Sequence, residues 1–243
     1  MLISFCIISN GKKSHKTKLL IKSIHKNFTS QNDYEIIIVG NNIKQFDGDN
    51  IKIIEDDDFV EFLGKRKNIA TEKSNGEIIV HCDDDILFPP TWFRDFKKYN
   101  KINKDWFVLG NRVLLPSGER YWDRNTIRPT HVMVDYNEES KQGDIFYQSG
   151  CFGIFKKQLL EEISWNNSLP YYADRKGFLY NEDVEFSIRL YNSGVDLHFD
   201  KNNTVWHYDL NYISNNLVVA RCKERGPSSC CTSFISLLNK LST

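Results

Sequence analysis

Residues 77–85 read Glu77-Ile78-Ile79-Val80-His81-Cys82-Asp83-Asp84-Asp85, a mostly apolar run that ends in three consecutive aspartates. A short apolar run rich in β-branched residues and preceded by Asn75-Gly76 is typical of a buried strand. Three adjacent carboxylates repel one another, and such crowding is tolerated when a cation neutralises it. Hard oxygen ligands favour Mg²⁺ or Mn²⁺. The stretch therefore predicts a buried strand whose exposed end holds one of these ions.

Similar apolar runs precede this strand, with helical patterns between them. The predicted strands are 2–9, 35–40 and 51–54, and the predicted helices are 16–28 and 65–74. This alternation predicts an α/β fold with a mostly parallel sheet and helices on both faces. Ligands of such sheets bind beyond the carboxyl ends of the strands. We therefore expect four polar segments to converge on one crevice, namely Asn10, Asn41, 56–58 and 83–85.

The second half of the chain has a different pattern. Residues 106–155 are rich in short strand-like pieces, which predict a small antiparallel subsheet, and 91–99 and 180–192 are predicted helices. Two closing strands are predicted at 197–199 and 204–206. We divide the chain into one domain of residues 1–215, with halves at about 1–105 and 106–215, and a tail of residues 216–243 that either docks or is mobile.

The bulk composition excludes several classes of protein. The formal net charge of the 243 residues is zero, which argues against a dedicated nucleic-acid binder. No apolar run approaches the ~20 residues of a membrane helix, and the N-terminus lacks the features of a signal peptide. The six cysteines form no CxxC pair, so buried reduced thiols are expected. We expect a cytoplasmic protein, with peripheral membrane contact through the tail as an option. A soluble domain trimmed of its anchor is the alternative.

Two further motifs carry groups that can do chemistry. Asn181-Glu182-Asp183 opens a predicted helix, where acidic residues either favour the helix dipole or supply a general base. His207 follows a predicted strand, where it is either a structural histidine or a metal ligand that completes a site begun by Asp85.

The order of these pieces resembles that of GT-A glycosyltransferases, most closely those of family 2. The stretch 177–186 is also similar to the acceptor-side segment of β-1,4-galactosyltransferases and polypeptide N-acetylgalactosaminyltransferases. The resemblance covers roughly residues 1 to 210 and implies a GT-A, Rossmann-like fold with an acceptor-side subsheet.

The resemblance also implies roles for individual residues. Asp85 and His207 would bind the metal, Asp183 would be the catalytic base, and Glu182 would hold the acceptor or orient that base. Ten residues would bind the nucleotide sugar: Ser9, Asn10, Asn41, Lys65, Arg66, Asn68, Asp83, Asp84, Gly150 and Cys151.

The expected function is transfer of a sugar from a nucleotide diphosphate donor, with UDP favoured, to a hydroxyl of a glycan or glycoconjugate. Asp183 occupies the position where retaining relatives usually carry Asn, so inversion is predicted. Asn41-Asn42 stands where family members often carry an acidic residue, which leaves the base-reading contact open. The alternatives are a sugar-phosphate nucleotidyltransferase and a non-catalytic carbohydrate-binding protein on the same fold.

Overall fold

A computed structural model describes residues 1–56, 62–127, 131–139, 141–169, 181–208 and 229–242. The strands in these ranges are β1 Ile3–Ser9, β2 Tyr34–Gly40, β3 Ile51–Glu55, β4 Ile78–Asp83, β5 Ile86–Leu87, β6 Val108–Leu114, β7 Arg124–Ile127, β8 His131–Met133, β9 Ile145–Gln148, β10 Phe152–Lys156 and β11 Leu197–His207. The helices are α1 Ser14–His25, α2 Leu63–Glu72, α3 Trp92–Ile102, α4 Lys157–Glu162, α5 Glu182–Asn192 and α6 Ser229–Ser242.

The main sheet has the strand order β3-β2-β1-β4-β10-β6-β11-β5. Its first four strands are parallel, β10 runs antiparallel to both of its neighbours, and β11 is parallel to β6. A separate antiparallel sheet has the order β8-β7-β9. This architecture confirms the predicted α/β class, with a mostly parallel sheet and a small antiparallel subsheet.

Helices cover both faces of the main sheet because alternate residues of the central strands point to opposite sides. Phe5 and Ile7 of β1 belong to a core that includes residues of α1, α3 and α6. Cys6 and Ile8 of the same strand belong to a second core with residues of α2, α4 and α5. Burial on both faces explains why these strands are continuous apolar runs. The cysteines whose side chains are described, Cys6, Cys82 and Cys151, are free and buried, as predicted.

Helix α6 packs on the body of the molecule. Its residues Phe234, Leu237 and Leu241 are buried in the same core as β1 and α1. Lys26 of α1 donates a hydrogen bond from Nζ to the carbonyl of Lys240. The predicted boundary between residues 215 and 216 lies outside the described residues and stays a prediction. No helix in the described ranges combines the length and the apolar character that crossing a bilayer requires.

β11 differs from the two closing strands predicted from the sequence. It is one strand with a register irregularity between Asp200 and Thr204. The Oδ1 atom of Asp200 accepts the N–H of Asn202 at 3.0 Å, and the Asn203 amide donates to the carbonyl of Trp92 at 3.1 Å. These local bonds hold the polar residues 200–203 in a bulge, so pairing resumes after them.

Candidate active site

The carboxyl ends of β1 and β4 meet at one edge of the sheet. The Ser9 hydroxyl donates to Oδ2 of Asp84 at 2.7 Å and so ties the two strand ends together. Gly11 follows β1 with a φ of +70°, and a Cβ there would lie 2.2 Å from the carbonyl oxygen of Asn42. Only glycine permits this close approach of the loops that follow β1 and β2.

Asp83, Asp85 and His207 form a cluster at this edge. Each offers a ligand atom, and the three atoms lie within 4.8 Å of one another. Nε2 of His207 is 3.5 Å from Oδ1 of Asp85. The end of β11 is held there because the Tyr208 N–H donates to the carbonyl of Asp85 at 2.6 Å. The structure thus brings together the two residues predicted to bind metal, and it adds Asp83 to them.

The charges in the cluster are strongly coupled. Burial and then the neighbouring Asp85 raise the pKa of Asp83 to about 8. Burial would also raise the pKa of Asp85, but His207 and the ammonium groups of Lys13 and Lys16 outweigh it and leave this pKa below its ordinary value. Lys13 Nζ lies 3.0 Å from Asp85 Oδ2, and Lys16 Nζ lies 3.5 Å from it.

The donor set of the cluster suits a divalent cation. Two carboxylates and an imidazole are ligands that Mn²⁺ accepts, and Mg²⁺ prefers the oxygen atoms among them. Burial and the repulsion from Asp85, which together raise the pKa of Asp83, are both offset when a cation binds. The residues present therefore fit a divalent ion. The ring of Tyr121 stacks on that of His207, with 4.1 Å between centroids, and restricts its orientation.

Asp183 lies in the first turn of α5, at the other side of the site. Its Oδ2 accepts the N–H of Gly150 at 3.0 Å and a short hydrogen bond from the hydroxyl of Tyr147. Burial and the adjacent charge of Glu182 raise the pKa of Asp183 to about 6, against the opposing effects of Tyr147 and Lys67. This value is suited to a general base near neutral pH.

Lys67 is buried between Glu182 of α5 and the loop before β10. Its ammonium group donates to Oε1 of Glu182 and to the carbonyl of Gly150, both at 3.2 Å. It also lies 4.0 Å from the ring centroid of Trp165, a cation–π contact. These contacts hold Glu182 in place beside Asp183.

Sequence reasoning missed four residues that contact the predicted site residues: Lys13, Lys16, Lys67 and Tyr147. Lys67 lies within the run Lys65-Arg66-Lys67-Asn68, from which the other three residues were selected. Its place among these predicted site residues, at the start of α2, is the signal that could have identified it. Tyr147 carries no comparable signal in the sequence.

Three of the residues predicted to bind the nucleotide, Asn10, Asn41 and Arg66, are bonded near the ends of β1, β2 and β3. Arg66 donates to Oδ1 of Asn41 at 2.8 Å and to Oδ2 of Asp56 at 3.0 Å, so it joins the ends of β2 and β3. Asn10 accepts the N–H of Lys12 and shapes the loop after β1. Two others have different partners. The amide of Asn68 donates to the carbonyl of Trp165 and to Oδ1 of Asn167, and the buried thiol of Cys151 lies 3.1 Å from the hydroxyl of Ser149.

Lys65 lies in the first turn of α2 and is half-buried. Residues 57–58 of the expected acidic segment and residues 177–180 of the family-like stretch lie outside the described residues.

The two halves of the site are linked through consecutive residues. The carbonyl of Cys151 accepts the N–H of Asp83 at 2.9 Å, and the N–H of Gly150 bonds to Asp183. The strand end that carries the acidic cluster and the helix that carries Asp183 are therefore fixed to one short segment. A cluster that fits a cation, tied through Gly150 and Cys151 to a buried carboxylate with a raised pKa, is an arrangement suited to group transfer.

The sequence profile of glycosyl transferase family 2 matches residues 7–164. Because this match covers well over half of the chain, the protein belongs to glycosyl transferase family 2. The family assignment favours a glycosyltransferase over the sugar-phosphate nucleotidyltransferase considered as an alternative. A search among curated proteins found no match.

Solved structures support the GT-A family 2-like fold. Staphylococcus aureus TarS residues 1–349 in complex with UDP-GlcNAc are 15% identical, with a TM-score of 0.62, over 86% of this chain and 59% of that one. GalNAc-T7 with UDP, GalNAc and Mn²⁺ is 14% identical, with a TM-score of 0.64, over 86% of this chain and 44% of that one. The chain therefore spans about half the length of these two structures, and the likeness concerns the fold.

Proposed function

We propose that this protein is a metal-dependent, inverting glycosyltransferase that moves a sugar from a UDP-sugar to a hydroxyl of a glycan or glycoconjugate. The observation that carries the proposal is the segment Gly150–Cys151, which is bonded to both the acidic cluster and Asp183. The UDP-GlcNAc bound to TarS and the UDP and Mn²⁺ bound to GalNAc-T7 support the choice of donor and cation.

Asp85, His207 and Asp83 would hold the divalent ion. A bound ion of this kind neutralises the negative charge that develops on a departing diphosphate. Arg66, held by Asn41 and Asp56 at the ends of β2 and β3, lies on the side where the nucleotide would bind.

Asp183 would act as the general base. It would take the proton of the acceptor hydroxyl while that oxygen bonds to the anomeric carbon of the donor sugar. The bond from this carbon to the diphosphate oxygen breaks at the same time, and UDP leaves with the electron pair. Because the acceptor attacks from the side opposite the leaving group, the configuration inverts. Lys67 would keep Glu182 beside Asp183, while its own positive charge lowers the pKa of this base.

Thermal shift and donor hydrolysis test this proposal. UDP is expected to stabilise the protein in the presence of Mn²⁺ and to have little effect in the presence of a chelator, because binding to the folded state raises stability. UDP-GlcNAc and UDP-GalNAc are the first donors for the hydrolysis assay. If UDP stabilises the protein equally with and without the metal, metal dependence is wrong.

The variant Asp183→Asn separates donor binding from catalysis. We expect it to keep metal-dependent UDP binding and to lose transfer by roughly 10²- to 10⁴-fold, the usual contribution of a general base. Transfer at the normal rate would contradict the assignment of the base. NMR of the product's anomeric proton tests inversion independently, since a retained configuration excludes the single displacement.

A further inference from the structure

A cavity lies between α3 and the bulge of β11. Its volume is about 580 Å³, and its lining includes Tyr99, Tyr136, Phe199, Asp200 and Asn202. Neither the acidic cluster nor the residues around Asp183 contribute to it. Its polar and aromatic lining is not required by the transfer mechanism described above.

Aromatic rings form one side of this cavity. The rings of Tyr136 and Phe199 stack with 5.2 Å between centroids and 19° between planes. The Tyr99 hydroxyl is 3.4 Å from Nδ1 of His198, which orients the Tyr99 ring. All three rings are half-buried. The guanidinium group of Arg120 also lies 4.0 Å from the ring centroid of Tyr136, so Tyr99 and Phe199 are the rings left to stack on a ligand. Rings of this kind are flat apolar surfaces with polar edges, on which the C–H faces of a pyranose can stack.

The polar groups around the rings suit hydroxyls and not phosphates. Asp200 and Asn202, held together by the bond that forms the bulge, supply a carboxylate and an amide. The four charged residues of the lining are Asp95, Lys98, Asp200 and Lys201, two of each sign. Binding of a polyanion would need an excess of cationic groups. The balance of charge therefore favours a neutral ligand with many hydroxyls.

The cavity lies on the same strand as the metal cluster. Asp200 and His207 both belong to β11, and seven residues at about 3.3 Å each place them roughly 20 Å apart. A ligand that reached both positions would have to be an extended chain and not a single small molecule.

We propose that this cavity is a second carbohydrate-binding site, which holds a neutral oligosaccharide segment of the acceptor at a distance from the point of transfer. The role as an acceptor site depends on the proposed transferase function, whereas saccharide binding itself does not. The cavity would select acceptors by length, because only a chain that spans both positions gains from two contacts.

Binding to an array of immobilised neutral oligosaccharides, without donor, tests the proposal. Phe199→Ala removes one ring, and Asn202→Ala removes an exposed amide with little risk to folding. The control is Tyr191→Ala, which removes an exposed ring of α5 outside the cavity. We expect the wild type, Tyr191→Ala and Asp183→Asn to bind the same saccharides. Phe199→Ala and Asn202→Ala are expected to bind them at least about 10-fold more weakly, the loss of one good stacking or hydrogen-bonding contact.

The outcomes separate this proposal from the proposed function. Normal UDP-sugar hydrolysis with weakened saccharide binding in the cavity variants supports the proposed saccharide site. Saccharide binding by a wild type that hydrolyses no UDP-sugar also supports the site, but it rejects the transferase function. The proposal is overturned if the wild type retains no saccharide. It is also overturned if both cavity variants bind saccharides as the wild type does, or if the cavity binds peptides in their place.

Discussion

The backbone N–H of Gly150 donates to Oδ2 of Asp183 at 3.0 Å, and a Cβ at position 150 would lie 2.8 Å from that same oxygen. The proposed base therefore rests directly against the main chain of the segment that also holds Asp83. Because this contact fixes the carboxylate on one side, the position of Asp183 depends on the absence of a side chain at residue 150.

Gly150→Ala is expected to displace Asp183 and reduce sugar transfer. The added methyl group would also lie 3.1 Å from Oε1 of Glu182, so both acidic side chains would have to shift. A displacement of about 1 Å at a reacting group can cost ~100-fold in rate. Steady-state transfer and metal-dependent UDP binding are the measurements, with transfer falling and UDP binding retained.

The control for this substitution is Gly143→Ala. Gly143 has a φ of +84°, and a Cβ there would meet no atom within 4 Å. This variant carries backbone strain without touching the site. If both alanine variants lose activity to the same extent, general loss of stability explains the effect, and the contact with Asp183 does not.

The pH dependence of transfer is expected to follow the protonation of Asp183. Its carboxylate must be deprotonated to act as a base, so kcat/KM should fall as the pH drops through about 6. The groups that face it are Glu182 on its own helix, Tyr147 of β9, the N–H of Gly150 and Lys67 of α2. The profile of kcat/KM against pH reports the free enzyme and is the measurement.

Two substitutions should move the acid limb of this profile, the pH range in which kcat/KM falls with decreasing pH, in opposite directions. Glu182→Gln removes a negative charge that raises the pKa of Asp183, so the limb is expected at lower pH. Lys67→Met removes a positive charge that lowers the same pKa, so the limb is expected at higher pH. The position of the limb, and not the maximal rate, is compared. Limbs at the wild-type pH in both variants would show that another group limits the reaction.

Within the acidic triplet, Asp84 and Asp85 are expected to differ in their effect on metal binding. Asp85→Asn and His207→Ala each remove a ligand of the cluster and should weaken Mn²⁺ binding by at least about 10-fold. Asp84→Asn is the matched control, because Asp84 is bonded to Ser9 and lies outside the cluster. Titration of Mn²⁺ followed by EPR measures each affinity. Equal losses in Asp84→Asn and Asp85→Asn would contradict the predicted ligand set.

Helix α6 is expected to contribute to the stability of the whole molecule. Phe234 is 2% exposed and packs against Trp206 and Tyr208, with ring centroids 5.1 Å and 5.8 Å away. Phe234→Ala should lower the free energy of unfolding by about 3–5 kcal/mol, the usual effect of such a truncation in a core. Its neighbour Ile235 is 56% exposed, so Ile235→Ala should change it by less than about 0.5 kcal/mol.

Urea denaturation of the two variants measures this difference. Equal stability of Phe234→Ala and the wild type would mean that α6 is not part of the cooperative folding unit.

The central strands could be predicted from the sequence because they are buried on both faces and therefore consist of consecutive apolar residues. β1 and β4 are apolar along most of their length, since helices cover both of their faces. β11 was predicted as two strands because the polar residues 200–203 interrupt its apolar pattern, although they form a bulge. The hydrogen bonds of Asp200 and Asn203 that form this bulge leave no periodic pattern in the sequence.

The site was predictable only in part, for a different physical reason. Asp85, Asp183 and His207 are identified by their order along the chain, and the structure places Asp85 beside His207. Lys67 and Tyr147 become important through contacts with residues 115 and 36 positions away, respectively. The run 65–68 marks Lys67 as a candidate, but only the folded arrangement shows its contact with Glu182 and identifies Tyr147.

Lys13 and Lys16 both form ion pairs with Asp85. These pairs offset the buried charge of Asp85, so we expect the polypeptide to fold without the proposed cation, and a chelator to abolish activity without unfolding the protein. An arriving ion competes with two amino groups that remain tethered nearby. Once released from Asp85, those amino groups would be available to the diphosphate of the proposed donor.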